Sequence, residues 1–141
     1  MRTGSFVHSW LVRRADKPRV AALVRDDGTV VCPQCVVAAT PLRRMKGLLG
    51  RKDLPPGEGI FLAPASSIHM LFMRFPIDAV FLDRENVVRK VVADLRPWRL
   101  ASARGSKSVV ELAAGEAGRL GIAPGQRLTL DEASSERSPQ I

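Results

Sequence analysis

Residues 66–83, SSIHMLFMRFPIDAVFLD, are the most apolar stretch of the chain, yet they carry His69, Arg74 and Asp78. Read in steps of two, the first half is a strand with Ile68, Met70 and Phe72 on one face and His69, Leu71 and Met73 on the other. Pro76 has no N–H to give and interrupts the ladder. The strand that follows sets Ile77, Ala79 and Phe81 against Asp78, Val80 and Leu82. Both faces of both strands are apolar, which predicts central strands covered on each side. An ionisable side chain there must find a partner or lose its charge, so Asp78 is predicted to point into apolar surroundings.

Working outward, short apolar runs recur at 59–62, 87–92, 109–113 and 127–130, separated by Pro, Gly and Asp-Arg-Glu-Asn turns. Upstream, Val20–Val24 and Thr29–Val31 flank Asp26-Asp27-Gly28, a hairpin signal. One main helix is expected over 40–51, with Thr40 as N-cap, Pro41 at the first helical position and Gly50 at the C-terminal end. Its Leu42, Met45, Leu48 and Leu49 share an arc, bordered by Arg44 and Arg51 seven positions apart. A short helical turn is expected at 116–120. The predicted fold is mainly β (α+β): a single small antiparallel β-sandwich or barrel-like domain over 20–131. It is preceded by a basic arm, 1–19, that Phe6 and Trp10 could partly pack, and followed by a disordered tail, 132–141.

The 141 residues suit one domain, which at that size buries about two-thirds of its unfolded surface. A composition of 45% hydrophobic and 26% charged residues excludes disorder over most of the length. The net charge of +8 favours acidic company: nucleic acid, an anionic membrane surface, or an acidic protein or ligand. No run of about eighteen apolar residues exists to span a bilayer. The first residues, MRTGSFVHSWLVRR, lack the pattern of a secretion signal, so the chain reads as cytoplasmic.

Several short motifs in one order also resemble a known family. Gly47-Leu48-Leu49-Gly50-Arg51, Ile68-His69, Phe72-Met73-Arg74-Phe75-Pro76-Ile77-Asp78, Val80-Phe81-Leu82-Asp83, Val110-Glu111-Leu112-Ala113-Ala114-Gly115 and Pro124-Gly125 are similar to domain of unknown function 192 from about Ala38 to Leu130. The resemblance implies a small β-sandwich-like fold with one or two helices and no established activity. Relatives often have Cys at Ala65, Thr at Met70 and Asp at Gln126, so any role of that cysteine does not carry over to this chain.

The charged members of these motifs, Arg44, Arg51, Asp78 and Glu111, admit two readings. They form either the floor of a pocket between helix and sheet, or ion pairs that pin the helix to the sheet, and the second is favoured because structural pairs perturb groups as functional sites do. His69 is read first as a neutral core histidine bonded to a backbone carbonyl, and second as a base or ligand. Met70 and Met73 read as core filling. Cys32-Pro-Gln-Cys35 invites redox chemistry, but residues three apart on a strand face opposite ways, which favours structural cysteines. A zinc site would need four ligands from Cys32, Cys35, His8 and His69, whose spacing fits no known pattern; no metal or cofactor is expected. Trp98, in Arg96-Pro97-Trp98-Arg99, could stack a base or sugar, although a ring anchored on the sheet is favoured.

The leading expectation is a non-enzymatic small-molecule or peptide-binding β domain. Its pocket is edged by Arg44, Arg51, His69, Met73, Asp78 and Glu111 and favours an anionic or hydroxyl-rich ligand, a glycan included. One rival is a hydrolase or transferase using Asp78 or Glu111 with His69. Another is an electrostatic module that meets nucleic acid or an acidic surface through the arm and Arg43-Arg44-x-Lys46. The absence of tyrosine and the 5% aromatic content speak against nucleic acid. Sequence does not fix the oligomeric state.

Overall fold

The computed structural model describes residues 19–38 and 51–132. Nine strands account for half of them: β1 (Arg19–Arg25), β2 (Val30–Ala38), β3 (Glu58–Leu62), β4 (Ser67–His69), β5 (Ile77–Leu82), β6 (Val88–Leu95), β7 (Leu100–Ser102), β8 (Ser108–Ala113) and β9 (Leu128–Asp131). One short helix, α1 (Glu116–Arg119), lies between β8 and β9. The expected mainly-β fold with a helical turn near residue 116 is what forms. The expected helix over 40–51, with Arg44, lies outside the described residues apart from Arg51.

Seven strands form one sheet in the order β6-β5-β8-β3-β2-β1-β9, and β4 pairs with β7 in a second. The Asp26-Asp27-Gly28 hairpin joins β1 to β2 as expected, with Gly28 at φ 88. Pairing is antiparallel except between β2 and β3, which run parallel and therefore need the longer crossover that separates them. The two edge strands approach each other where they begin. Val87 bridges Arg127, the Val88 amide donates to the Gln126 carbonyl at 2.7 Å, and that of Leu128 donates to the Asn86 carbonyl at 2.9 Å. The sheet thus curls into a partly closed barrel.

Two apolar clusters follow from that curl. One joins Leu23, Cys32, Cys35, Val80, Leu112, Val88 and Leu128; because it draws on both edge strands, it is the barrel interior, and Ala117 and Ile122 of the α1 segment plug it. The other joins Ile60, Ile77, Ala79, Phe81 and Val109 with Ile68, Met70, Met73 and Ala103, so it lies on the outer face beneath the β4–β7 sheet. β5 belongs to both and has all six residues buried, each large apolar side chain contributing about 1.5–3 kcal/mol. Its alternation is the expected one, with Ala79 and Phe81 outside and Val80 and Leu82 inside.

The stretch before it departs from expectation. β4 ends at His69, and residues 70–76 are turns. The Met70 amide donates to Arg99 O at 2.8 Å, the Met70 carbonyl accepts from both Met73 and Trp98, and Phe72 takes φ 65. In a strand Met70 and Met73 would face opposite ways. The turn sends both into the outer cluster, leaving Leu71 and Phe72 to solvent.

Candidate functional site

Asp78 is fully buried on the interior side of β5. Its carboxylate accepts three backbone N–H bonds, from Asp94 at 2.9 Å, Gly115 at 3.0 Å and Ala117 at 2.9 Å. A register shift between Ile77 and Ala79 in the β5–β6 ladder, with Asp94 at φ 52, brings the first donor round. The other two are free donors of the first turn of α1, whose cap residue Gly115 has no side chain to satisfy them. Among the described residues, no arginine pairs with Asp78; backbone donors meet its need instead.

Glu111 sits on the opposite face. Its register partners are Ile60 on β3 and Ala79 on β5, both members of the outer cluster, so the carboxyl stands in an apolar row. Burial pushes its pKa up to about 7. Asp78 and Glu111 are therefore separated by the thickness of the sheet. Arg51 makes its ion pair with Glu58, at 3.3 Å on the surface. Met73 is buried core, as expected. His69 is exposed, since Ile68 and Ala101 are the residues of β4 and β7 that face the outer cluster while His69 and Leu100 face away. A core histidine was expected because both faces of this strand read as apolar; the strand is too short for the second face to be covered.

The cysteines correct another expectation. In the β1–β2 ladder Ala21 opposes Cys35 and Leu23 opposes Cys32, so β2 carries one residue more than β1 between those pairs. This bulge at Pro33-Gln34 returns both thiols to the same side, fully buried in the barrel interior, where the Cys32 thiol donates to the Gly57 carbonyl at 3.5 Å. The neighbouring Cys32 thiol, together with burial, pushes the Cys35 thiol far above its ordinary value. Gly59 makes room for this pair: a Cβ there would meet Cys32 Sγ at 2.9 Å and the Glu111 carbonyl at 2.8 Å.

What gathers at the surface is a set of side chains of which the expected pocket contained His69 alone. The turns after β4 and before β7 expose Leu71, Phe72 (69%) and Trp98 (60%), and the first residue of β7, Leu100, is exposed as well (74%). Phe72 and Trp98 meet edge to face with ring centroids 5.0 Å apart. Both hold positive φ, 65 and 69, a conformation that costs a bulky residue of order 1–3 kcal/mol. Trp98 does not anchor on the sheet, because its turn spends its backbone N–H on Met70 and sends the ring outward. Arg74, Arg96 and Arg99, near the two aromatic residues in sequence, are exposed. Alongside lies a shallow depression of about 480 Å³ lined by Ser67, Ile68, His69, Lys90, Leu100, Ala101 and Ser102. The signal legible in sequence was the Arg-Pro-Trp-Arg run; its partner Phe72 was hidden by reading 70–73 as strand.

A family profile, DUF192, described as an uncharacterised ACR, matches residues 22–130. The chain belongs to the DUF192 family. The match takes in the β1–β2 turn as well as the motifs after Ala38. Two solved structures share the fold. One is a putative transcription regulator from Sinorhizobium meliloti, 24% identical, with a TM-score of 0.70 over 84% of this chain and 95% of that one. The other is a protein of unknown function from Novosphingobium aromaticivorans, also 24% identical, with a TM-score of 0.66 over 79% and 84%. No curated protein matches. Among the described residues, no helix of this DUF192 chain is long and apolar enough to cross a membrane.

Proposed function

We propose that this DUF192 domain is a non-enzymatic binding module that takes an anionic or hydroxyl-rich ligand on the β4–β7 sheet and its two aromatic turns. The observation that carries the reading is the Phe72–Trp98 pair: two large rings kept in solvent and at positive φ, where folding alone would favour smaller or more flexible residues. His69, Lys90, Ser67 and Ser102 supply donors beside the rings, and Arg74 and Arg99 set the sign of the ligand. Of the six residues expected to edge a pocket, His69 belongs to this surface. Asp78 is saturated by backbone donors, Glu111 faces the outer cluster and Met73 fills it, so a reaction shared between either acid and His69 has less support than binding.

Trp98 emission tests the reading directly in a Trp10→Phe background, since these are the two tryptophans of the chain. Titration with soluble anionic and polyhydroxy compounds should give a saturable change that Phe72→Ser or His69→Ala weakens roughly tenfold, the scale of one lost well-made contact. Saturation at the same concentrations in both variants would reject this surface.

A further inference from the structure

The geometry points to an anionic phospholipid bilayer as the ligand of this surface, an inference that rests on the binding reading above and names its partner. We infer that Leu71, Phe72, Trp98 and Leu100 enter the interfacial layer while Arg74 and Arg99 meet lipid phosphates.

Three observations favour a bilayer over a peptide or a glycan. Leu71, Phe72 and Trp98 stand on turns and Leu100 begins β7, all of them exposed, a convex set that enters a fluid surface rather than one that wraps a ligand. The two rings are inclined at 62° and meet edge to face, so they present bulk and not the flat open face on which a sugar stacks. Indole and phenyl rings beside guanidinium groups are the mixture that partitions to a headgroup boundary, where apolar area and attraction to anionic lipid act together. Charge complementarity points the same way: the exposed basic groups here outnumber the acids, since Asp94 is already held by Arg96 at 3.0 Å.

The depression next to the rings has the chemistry of a headgroup seat. On the outward face of β4–β7 Ser67 and Ser102 stand opposite each other at one end of the ladder and His69 opposite Leu100 at the other, and Lys90 Nζ donates to the Ser102 carbonyl at 3.0 Å. That bond uses one of three ammonium donors, leaving the others for a phosphate oxygen. A lipid whose phosphate rests there would direct its glycerol and chains toward Leu100 and the aromatic turns.

The full chain in the Trp10→Phe background is mixed with phosphatidylcholine vesicles, with and without phosphatidylglycerol, and separately with soluble glycerol 3-phosphate. The expected result is co-sedimentation with the anionic vesicles only, a blue shift of Trp98 emission, and a loss of about tenfold in partitioning for Phe72→Ser or Leu100→Ser, each removing a buried apolar side chain from the interface. Both positions are exposed in the free protein, so an unchanged melting temperature separates lost binding from lost folding. Vesicle binding that both variants retain in full would mean charge alone is at work and overturns the inference. A response to glycerol 3-phosphate without vesicle binding overturns the bilayer and leaves the binding module standing. No response to vesicles or to any soluble ligand removes both.

Discussion

At the scale of the residue, two carboxyl groups on one sheet have opposite fates. Asp78 faces inward and satisfies the amides of Asp94, Gly115 and Ala117, so it fastens the α1 plug to β5 and to the β6 bulge. Asp78→Asn places an amide N–H₂ where an acceptor is required. It is expected to cost about 2–4 kcal/mol, measured by denaturant unfolding, because buried donors are left without partners. Glu111 faces outward into apolar neighbours, with a pKa raised from 4.5 to about 7. The folded protein therefore holds a proton between those values that the unfolded chain has released. Stability from this group is full below about pH 4.5 and falls as pH rises through 7, by an amount on the order of 3 kcal/mol. Glu111→Gln should match the parent near pH 4.5 and exceed it at pH 8 in urea unfolding; equal stability of the two at pH 8 would contradict this placement.

At the scale of the element, small irregularities decide which side chains meet. One extra residue in β2 turns Cys32 and Cys35 from opposite faces to one, next to the space Gly59 leaves open. Both thiols are fully buried, so an aromatic disulfide reagent should modify neither in the native protein and both in guanidinium chloride. Fast native reaction at either would show that the barrel interior opens at this strand. The turn after β4 is the second irregularity. It places two methionines in the core and, as a consequence, puts Leu71 and Phe72 outside, facing Trp98.

At the scale of the whole molecule, a partly closed barrel carries a lighter structure on its flank. β5, β8 and β3 are the sheet's well-buried strands, whereas β4 and β7 are three residues each and pair with one another alone. Native-state hydrogen exchange should then show the amides of β5 and β8 opening with global unfolding, and those paired between β4 and β7 opening at a lower free energy. Equal protection in the two sheets would argue that they form one cooperative unit. A surface that adapts to a partner belongs on the weaker sheet, where rearrangement leaves the barrel intact.

Alternation, turn residues and the run of family-like motifs determined the strands 59–62, 77–82 and 109–113, the Asp-Gly hairpin, the helical turn at 116 and the burial of Asp78. All of these depend on neighbours along the chain, which a period of two or a four-residue turn encodes locally. Tertiary structure alone decided what each polar group meets: backbone amides for Asp78, an apolar row for Glu111, a second thiol for Cys35, solvent for His69. A bulge or a tight turn changes phase by one residue, and its energetic reason is a contact with a strand distant in sequence. The aromatic surface has the same origin, since Phe72 and Trp98 lie 26 positions apart and touch only after β4 and β7 have paired.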